Sequence, residues 1–161
     1  AFDMKVIATR RLQKKVENKK IVDELIPLTD IDYLLRKSDY VVIACPLTPL
    51  TGGMIGNKEL AKMKSSAFII NIARGPIIDE KALIEVLKNQ KIMGAGLDVF
   101  SIEPLDKESP LFGLDNVFLS PHISGNFPEY QEDVVLQFSD NLNRYLSGQN
   151  LKNRVCKKRL Y

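Results

Sequence analysis

Residues 67–89, AFIINIARGPIIDEKALIEVLKN, change from an extended pattern to a helical one. The first seven form a short apolar run with the length and composition of a buried strand. Asp79 is a residue type that caps helices, and the leucines and valine after it recur at the spacing of one helical face. Arg74 and Gly75 lie between the two patterns. The stretch therefore predicts a strand that leads through a polar turn into a helix packed against it.

The rest of the chain repeats this alternation. Further apolar runs predict strands over residues 4–9, 40–45, 93–100 and 116–120. Helical periodicity predicts a helix after Thr29 or Asp30, a short helix over 57–63 capped by Asn57, and a long helix over about 128–146. Strands without polar alternation indicate a parallel sheet covered on both faces. Together the patterns indicate a doubly wound, Rossmann-like α/β domain.

Composition excludes several classes of protein. A length of 161 residues suits one domain, and a formal net charge of +3 does not by itself imply a nucleic-acid partner. Basic clusters near residues 10–20 and 152–159 lack interleaved aromatic residues and any recognisable binding motif, so nucleic-acid binding is not expected. No apolar run approaches the ~20 residues of a membrane helix, so no membrane partner is expected.

Cysteine and histidine usage argues against a disulfide framework and against a metal site. The two cysteines are Cys45, which ends an apolar run, and Cys156, so a buried thiol in a reducing, cytoplasmic setting is expected. With one histidine and no CxxC pair, zinc is not expected. A strand-like pattern begins almost at Ala1, so the sequence gives no basis for judging a targeting segment.

Polar and ionisable residues follow three successive predicted strands. Arg74 follows the third predicted strand, Asp98 and Glu103 lie at the end of the next, and His122, the only histidine, follows the last. Taken singly, each has an ordinary structural interpretation: a surface ion pair, a loop cap or a packed side chain. Ligands of doubly wound sheets, however, bind outside the carboxyl ends of the strands. We therefore expect these four side chains to lie along one edge of one sheet.

This set of side chains suits the reduction of a 2-keto acid. A guanidinium is a planar fork that matches a carboxylate, so Arg74 is expected to hold the substrate and polarise its carbonyl. An imidazole exchanges protons near neutrality, so His122 is expected to protonate the carbonyl oxygen as hydride arrives. Glu103 would orient the imidazole and favour its charged form. The hydride itself requires a nicotinamide cofactor.

Five separated segments resemble the D-isomer-specific 2-hydroxyacid dehydrogenase family, in the same order along the chain. They are SDYVVIACPLTPLTGGMIG, FIINIARGPIIDEKALIEVL, MGAGLDVFSIEPL, NVFLSPHISG and NLNRYLSGQNLKN. The resemblance implies that Arg74, Glu103 and His122 are the catalytic residues. It also implies that Asp98 contacts the nicotinamide carboxamide. Three further residues are implied to line the cofactor, namely Pro46, Thr51 and Ala73.

The residue after the first predicted strand bears on the choice between NAD and NADP. NAD-using members of the family carry an acidic residue there, which bonds the ribose 2′-hydroxyl. This chain has Arg10 followed by Arg11. An arginine would pair with a 2′-phosphate instead. The sequence therefore predicts NAD(P) as cofactor, with a preference for NADP(H).

The resemblance also implies a boundary in the chain and a part of the fold that these residues do not supply. Residues 1–127 are expected to form a partial dinucleotide-binding domain, and residues 128–161 a crossover helix and tail that would return to a substrate domain. The family's first strand and glycine-rich loop would precede Ala1, and "GAGLDV" does not complete the loop's pattern. That first strand is central in the usual strand order. Its absence is expected to separate residues 4–9 from residues 40–45.

Three arrangements of the resulting gap remain open. Residues 4–9 shift against 40–45, or a partner chain fills the gap, or residues 1–20 detach from the main sheet. In each case the amides that would bind the phosphates at a helix start are missing. The chain alone is therefore expected to bind dinucleotide poorly and to be inactive.

Two function classes remain open. The first is an oxidoreductase acting on a D-2-hydroxy acid or 2-keto acid, similar to glyoxylate/hydroxypyruvate reductases or phosphoglycerate dehydrogenases and expected to be a dimer. The second is a dinucleotide-sensing binding protein of the corepressor type, because some members of the family have that role. Hydride transfer to glyoxylate or hydroxypyruvate would discriminate between them.

Overall fold

The computed structural model of the chain describes residues 3–10 and 22–157. Six strands lie within these ranges: β1 (Ile7–Thr9), β2 (Glu24–Ile26), β3 (Tyr40–Ile43), β4 (Phe68–Asn71), β5 (Gly94–Leu97) and β6 (Val117–Leu119). The same ranges contain four α-helices: α1 (Ile31–Lys37), α2 (Asn57–Leu60), α3 (Glu80–Lys88) and α4 (Tyr130–Leu146). The predicted alternation of strands and helices is confirmed for this part of the chain.

The described strands form two parallel sheets. One has the order β3-β4-β5-β6, and the other is the pair β1-β2. In the larger sheet Val41, Ile69 and Ala95 lie side by side, and so do Val42 and Ile70. The parallel α/β class predicted from the sequence is confirmed.

One face of the four-stranded sheet forms the hydrophobic core. Val41, Ile69 and Ala95 are at most 5% exposed. Helices α1, α2 and α3 contribute to the same core the side chains Leu35, Leu60, Leu83 and Leu87. Successive side chains of a strand point to opposite faces, so Tyr40 and Val42 lie on the other face, where both are more than half exposed. The expectation that both faces are covered is therefore wrong for the described residues, whose helices bury only one.

Strand β2 and two helix starts differ from the sequence patterns. The patterns do not predict β2, because Glu24–Ile26 has only two apolar residues and pairs with the distant β1.

The cap of α3 is confirmed, since Asp79 Oδ1 accepts hydrogen bonds from the backbone N–H groups of residues 81 and 82, both at 3.1 Å. Asn57 does not cap α2. Gly56 is the N-cap, and Glu59 accepts a hydrogen bond from its N–H at 3.1 Å.

The start of α1 and the lengths of the strands also differ from the sequence patterns. Asp30 is the N-cap of α1, but its side chain makes no capping hydrogen bond. The strands are shorter than the apolar runs, because apolar residues beyond the strand ends continue into buried loops. Val99 and Phe100, for example, are buried although β5 ends at Leu97.

A channel of about 1470 Å³ runs between β1 and β3, lined by residues 4–10 and 38–46. The N–H and C=O groups of Tyr40 and Val42 point away from β4. The groups that point toward β4 belong to the alternate residues, since the N–H of Phe68, for example, donates to the carbonyl of Asp39. Thr9 Oγ1 is buried and has no hydrogen-bond partner within the described part of the chain. The predicted separation of the two strands is therefore confirmed, and β1 does not shift against β3.

Helix α4 and the segment after it are joined by ion pairs. None of the α4 residues is buried, and several of its apolar side chains are exposed. Asp140 pairs with Arg144 and Lys152, both at 3.0 Å, which holds the segment after the helix against its last turns. The division into residues 1–127 and 128–161 stays a prediction. In the described ranges no helix combines the length and the apolar character that a membrane crossing requires.

Candidate active site

The imidazole of His122 and the carboxylate of Glu103 are in direct contact. His122 Nδ1 lies 2.7 Å from Glu103 Oε2. An ionised carboxylate only accepts hydrogen bonds, so Nδ1 carries the proton and donates it. The other ring nitrogen, Nε2, is then left to exchange a proton with a ligand. The side chain of His122 is 46% exposed, which leaves the ring accessible.

The loop after β5 fixes the position of Glu103. Its Oε1 accepts a hydrogen bond from the backbone N–H of Phe100 at 3.0 Å. The hydrogen bond from His122 lowers the pKa of Glu103, and the Phe100 N–H and the positive charge of Arg74 act in the same direction. Glu103 is therefore an ionised partner for the imidazole. The guanidinium of Arg74 is close enough for its charge to reach this pair.

Asp98, at the end of β5, holds the loop that carries His122. Oδ1 accepts hydrogen bonds from the Ser120 hydroxyl and from the backbone N–H of Ile123 at 2.9 Å, and Oδ2 accepts one from the backbone N–H of Ser124 at 2.9 Å. Burial raises the pKa of Asp98, but the hydrogen bonds from Ser120, Ser124 and Ile123 outweigh it and hold the pKa far below its usual range. Asp98 is thus a permanently charged anchor for residues 120–124.

This anchoring explains the backbone conformation of His122. Its φ of +57° lies in the left-handed region, which non-glycine residues seldom adopt. The hydrogen bonds from Ile123 and Ser124 to Asp98 fix the two peptide units that follow. The loop is therefore held in an uncommon conformation that presents the imidazole to Glu103.

The turn that carries Arg74 packs against the loop of Glu103. A Cβ on Gly75 would lie 1.9 Å from the carbonyl carbon of Phe100, so only glycine allows the two turns to approach this closely. The buried side chain of Asn71, at the end of β4, bonds the backbone of Ala73 and Arg74, both at 3.0 Å. The sequence patterns do not identify Asn71. Its only signal is a polar residue inside an apolar run.

A smaller cavity of about 500 Å³ lies beside Arg74. Its lining comes from residues 44–47 and 72–74, which include Pro46 and Ala73. Thr51 lines the larger channel instead. The Thr51 hydroxyl donates to the carbonyl of Pro46 at 2.7 Å and accepts from the N–H of Thr48 at 2.8 Å. Thr51 therefore fixes the loop of residues 46–51, whose residues line both cavities.

The structure places Arg10 apart from the acid–imidazole pair. Arg10 directly follows β1 and lines the larger channel together with Pro46 and Thr51. Arg11 lies outside the described residues. The structure thus brings Arg74, Asp98, Glu103 and His122 to the carboxyl ends of β4, β5 and β6, and puts Arg10 at the end of a different sheet.

The remaining reactive residues do not form a second centre. Cys45 and Cys156 are not joined in a disulfide, and partial burial raises the pKa of the Cys45 thiol. In residues 3–10 and 22–157 no three His, Cys, Asp or Glu side chains are grouped in a way that could hold a metal ion. This edge holds an imidazole–carboxylate pair beside a guanidinium, groups that can exchange a proton and pair with an anion.

The parallel sheet and this arrangement at its carboxyl edge define a Rossmann-like dinucleotide-binding domain. Residues 1–124 match the sequence profile of the NAD binding domain of D-isomer specific 2-hydroxyacid dehydrogenases. The chain belongs to the D-isomer specific 2-hydroxyacid dehydrogenase family.

Curated relatives with similar sequences are named as reductases. The chain is 48% identical over 126 residues to the glyoxylate/hydroxypyruvate reductase B of Enterobacter agglomerans, which covers 78% of this chain and 39% of that protein. It is 41% identical over 152 residues to the glyoxylate reductase of Thermofilum pendens, covering 92% of this chain and 43% of that protein. The chain therefore spans about two fifths of the length of these relatives.

Solved structures show the same architecture. A D-isomer specific 2-hydroxyacid dehydrogenase of Xanthobacter autotrophicus, in complex with NADPH and MES, superposes with a TM-score of 0.87 at 36% identity over 97% of this chain and 62% of that chain. The NADPH-dependent glyoxylate/hydroxypyruvate reductase of Sinorhizobium meliloti, in complex with NADP and sulfate, gives 0.88 at 29% identity over 99% and 50%. Both sheets of this chain are thus matched in one superposition.

Proposed function

We propose that the chain is the NAD(P)-binding, catalytic part of an oxidoreductase that interconverts a D-2-hydroxy acid and its 2-keto acid. The observation that carries this proposal is the 2.7 Å contact between His122 and Glu103 at the sheet edge that also bears Arg74. A proton donor and a carboxylate-binding cation at one edge are the two protein groups that keto-acid reduction requires.

Each side chain has one role in the proposed reaction. Arg74 binds the substrate carboxylate and polarises the adjacent carbonyl. His122 gives the proton on Nε2 to the carbonyl oxygen while the carbonyl carbon accepts a hydride, so a C–H and an O–H bond form and the C=O double bond is lost. Glu103 keeps the imidazole oriented and stabilises its charge before the transfer.

A bound nicotinamide cofactor supplies the hydride. The described residues fit such a group, because the 500 Å³ cavity beside Arg74 opens next to the larger channel and shares Pro46 with it. The buried, unpartnered Thr9 Oγ1 and the exposed Arg10 lie along that channel.

We propose NADP(H) rather than NAD(H) as the preferred cofactor. Arg10 follows β1, where an arginine would pair with a 2′-phosphate. The similar solved proteins from Xanthobacter autotrophicus and Sinorhizobium meliloti are in complex with NADPH and NADP. The ratio of kcat/KM with NADPH to that with NADH, measured on the full-length gene product that contains this chain, tests this. A clear preference for NADH would remove the proposal.

The proposed substrates are glyoxylate and hydroxypyruvate, because the similar curated proteins are named for them. The test follows NADPH oxidation at 340 nm by the full-length gene product with either acid. Turnover that disappears in His122→Ala supports the enzyme. NADPH binding without turnover of any 2-keto acid would instead support the dinucleotide-sensing alternative.

We further propose that the 161 residues alone bind dinucleotide poorly and are inactive, since β1 and β3 flank an unfilled channel. Titration of the isolated chain with NADPH, followed by cofactor fluorescence, tests this. Micromolar binding would contradict it.

A cytoplasmic location and a dimer are also proposed. Two cysteines that are not joined in a disulfide are consistent with a reducing compartment, and the exposed apolar sheet face is consistent with association between chains. Sedimentation equilibrium of the full-length gene product would detect the dimer, and a monomer at micromolar concentration would exclude it.

A further inference from the structure

The buried polar side chains of the described core are Asn71 and Asp98, which are 1% and 3% exposed. They lie at the ends of the neighbouring strands β4 and β5, and the backbone N–H of Asp98 donates to the carbonyl of Asn71 at 3.0 Å. A buried polar group is costly unless it is hydrogen-bonded. Asp98 uses its bonds to hold the His122 loop, which raises the question of what Asn71 holds.

The row of residues around Asn71 is otherwise apolar. In register across the sheet its neighbours are Ile43 on β3 and Leu97 on β5, and Leu119 follows on β6. A leucine at position 71 would continue this row without any polar group to satisfy. Packing of the sheet therefore does not account for an amide here.

The amide of Asn71 bonds the turn that carries Arg74 through both its oxygen and its nitrogen. Oδ1 accepts a hydrogen bond from the Ala73 N–H, and Nδ2 donates one to the Arg74 carbonyl, both at 3.0 Å. The two partners fix the orientation of the amide. In a flipped amide the NH₂ group would face the N–H of Ala73 and the oxygen would face the carbonyl of Arg74, and neither pair could form a hydrogen bond. The side chain thus ties down the Ile72–Ala73 and Arg74–Gly75 peptide units, which flank the peptide bond between Ala73 and Arg74.

We propose that Asn71 is a positioning residue, whose amide holds the Ala73–Arg74 backbone so that the guanidinium reaches the substrate carboxylate. This inference rests on the proposed function. Arg74 is an exposed residue, and within the described part of the chain its Nη1 donates to the backbone carbonyl of Ala73 at 2.6 Å, so the direction of the side chain depends on the backbone beneath it. Asn71 acts through Arg74 and does not touch the substrate.

The test is a double-mutant cycle between Asn71→Ala and Arg74→Ala in the full-length gene product. A misplacement of about 1 Å costs roughly 100-fold, so Asn71→Ala is expected to lower kcat/KM for glyoxylate by about that factor, mainly through a higher KM for the acid. In the Arg74→Ala background the same change is expected to alter kcat/KM by less than about twofold. A full 100-fold loss in both backgrounds would overturn the proposal.

The matched control is Asn116→Ala. Asn116 also donates its side-chain amide to a backbone carbonyl, that of Leu87 at 3.3 Å, but at the start of β6, away from Arg74. Its kinetic constants are expected to stay within about twofold of the unaltered protein. If Asn71→Ala folds poorly, Asn71→Ser replaces it, since a hydroxyl can still accept from the Ala73 N–H but does not span to the Arg74 carbonyl.

A second measurement does not depend on turnover. In Asn71→Ala, amide hydrogen exchange at Ala73 is expected to accelerate by roughly tenfold or more while exchange at Val41 in β3 stays unchanged. Unchanged exchange at Ala73 would overturn the proposal whatever the kinetics show. If the unaltered gene product fails to reduce any 2-keto acid while Ala73 exchange does accelerate, the proposed function fails and the hold of Asn71 on the turn stands.

Discussion

The four-stranded sheet β3-β4-β5-β6 and the two-stranded sheet β1-β2 are both parallel, but the structure supports them differently. Residues of β3, β4 and β5 are buried under α1, α2 and α3, although β6 has no buried residue. All the residues of β1 and β2, by contrast, are only partly buried. The groups proposed for catalysis follow the first sheet, and Arg10 follows the second.

Precise geometry is available beside the strands of the large sheet that are buried in the core. A strand whose residues are locked in a core gives the loop at its carboxyl end a fixed origin, and buried polar groups such as Asn71 and Asp98 then carry that order into the loop. Arg10 follows a strand of three residues that are only partly buried. We therefore expect changes beside the large sheet to abolish chemistry and changes beside the small sheet to alter less.

The largest effect is expected for His122→Ala. Loss of a general acid typically costs about 100- to 10,000-fold in rate, so kcat for glyoxylate reduction by the full-length gene product should fall by that range. The thermal midpoint should not change, because the side chain is exposed. The control is Asn126→Ala on the same loop, whose side chain is also exposed. A kcat within threefold of the unaltered protein would place the proton donor elsewhere.

The next largest effect is a difference in the free energy of unfolding between substitutions beside the two sheets. Leu83 of α3 is 1% exposed, so Leu83→Ala should lower the free energy of unfolding by about 2–5 kcal/mol. Ile7 of β1 is only partly buried, so Ile7→Ala should lower it by about 1 kcal/mol. Urea unfolding of the purified protein, followed by circular dichroism, gives both values. Equal losses would mean that the small sheet is as well supported as the large one.

The sequence predicts the large sheet better than the small one, and the reason is physical. Strands β3 to β6 come from apolar runs, and the cap at Asp79 follows from a local rule about side-chain acceptors. Strand β2 has three residues, and its pairing with β1 is a long-range contact that no local pattern encodes. The open face of the sheet also depends on which helices reach it, which apolar composition does not reveal.

The sequence predicts the reactive groups of the candidate site but not the hydrogen bonds that hold their loops in place. Arg74, Glu103 and His122 are chemically conspicuous residues at predicted strand ends, and the structure places Glu103 and His122 in contact. Asn71 is inconspicuous, because its bonds to a turn two residues on exist only once that turn has formed. Asp98 accepts hydrogen bonds from Ser120, Ile123 and Ser124, which lie more than twenty positions later in the chain. The order of the sequence does not reveal such long-range contacts.

A smaller effect is expected for Asp98→Asn, which tests how the large sheet holds the His122 loop. Replacing the charged acceptor should lower the free energy of unfolding at pH 7 by about 1–3 kcal/mol. The folded-state pKa lies below the ordinary value of about 3.9. The contribution of this carboxylate is therefore complete above about pH 4 and is lost as the pH falls toward the folded-state pKa.

The measurement for Asp98 is the unfolding free energy as a function of pH. The unaltered protein should lose stability between about pH 4 and pH 2, and Asp98→Asn should lose less over the same interval. Asp115→Asn, at an exposed loop position, serves as the control and should follow the unaltered curve. Parallel curves for Asp98→Asn and the unaltered protein would show that the carboxylate does not stabilise the loop.

The smallest effect is expected at the ion pair of the small sheet. Glu24 of β2 contacts Lys5 at 2.6 Å and accepts a hydrogen bond from the Tyr33 hydroxyl at 2.9 Å, and these two groups lower its pKa. Because Lys5 is exposed and Glu24 is only partly buried, solvent and salt screen the pair. Glu24→Gln should therefore shift the thermal midpoint only slightly, and the shift should vanish at high salt. A loss as large as that of Asp98→Asn would mean that this pair, and not apolar burial, holds β1 and β2 together.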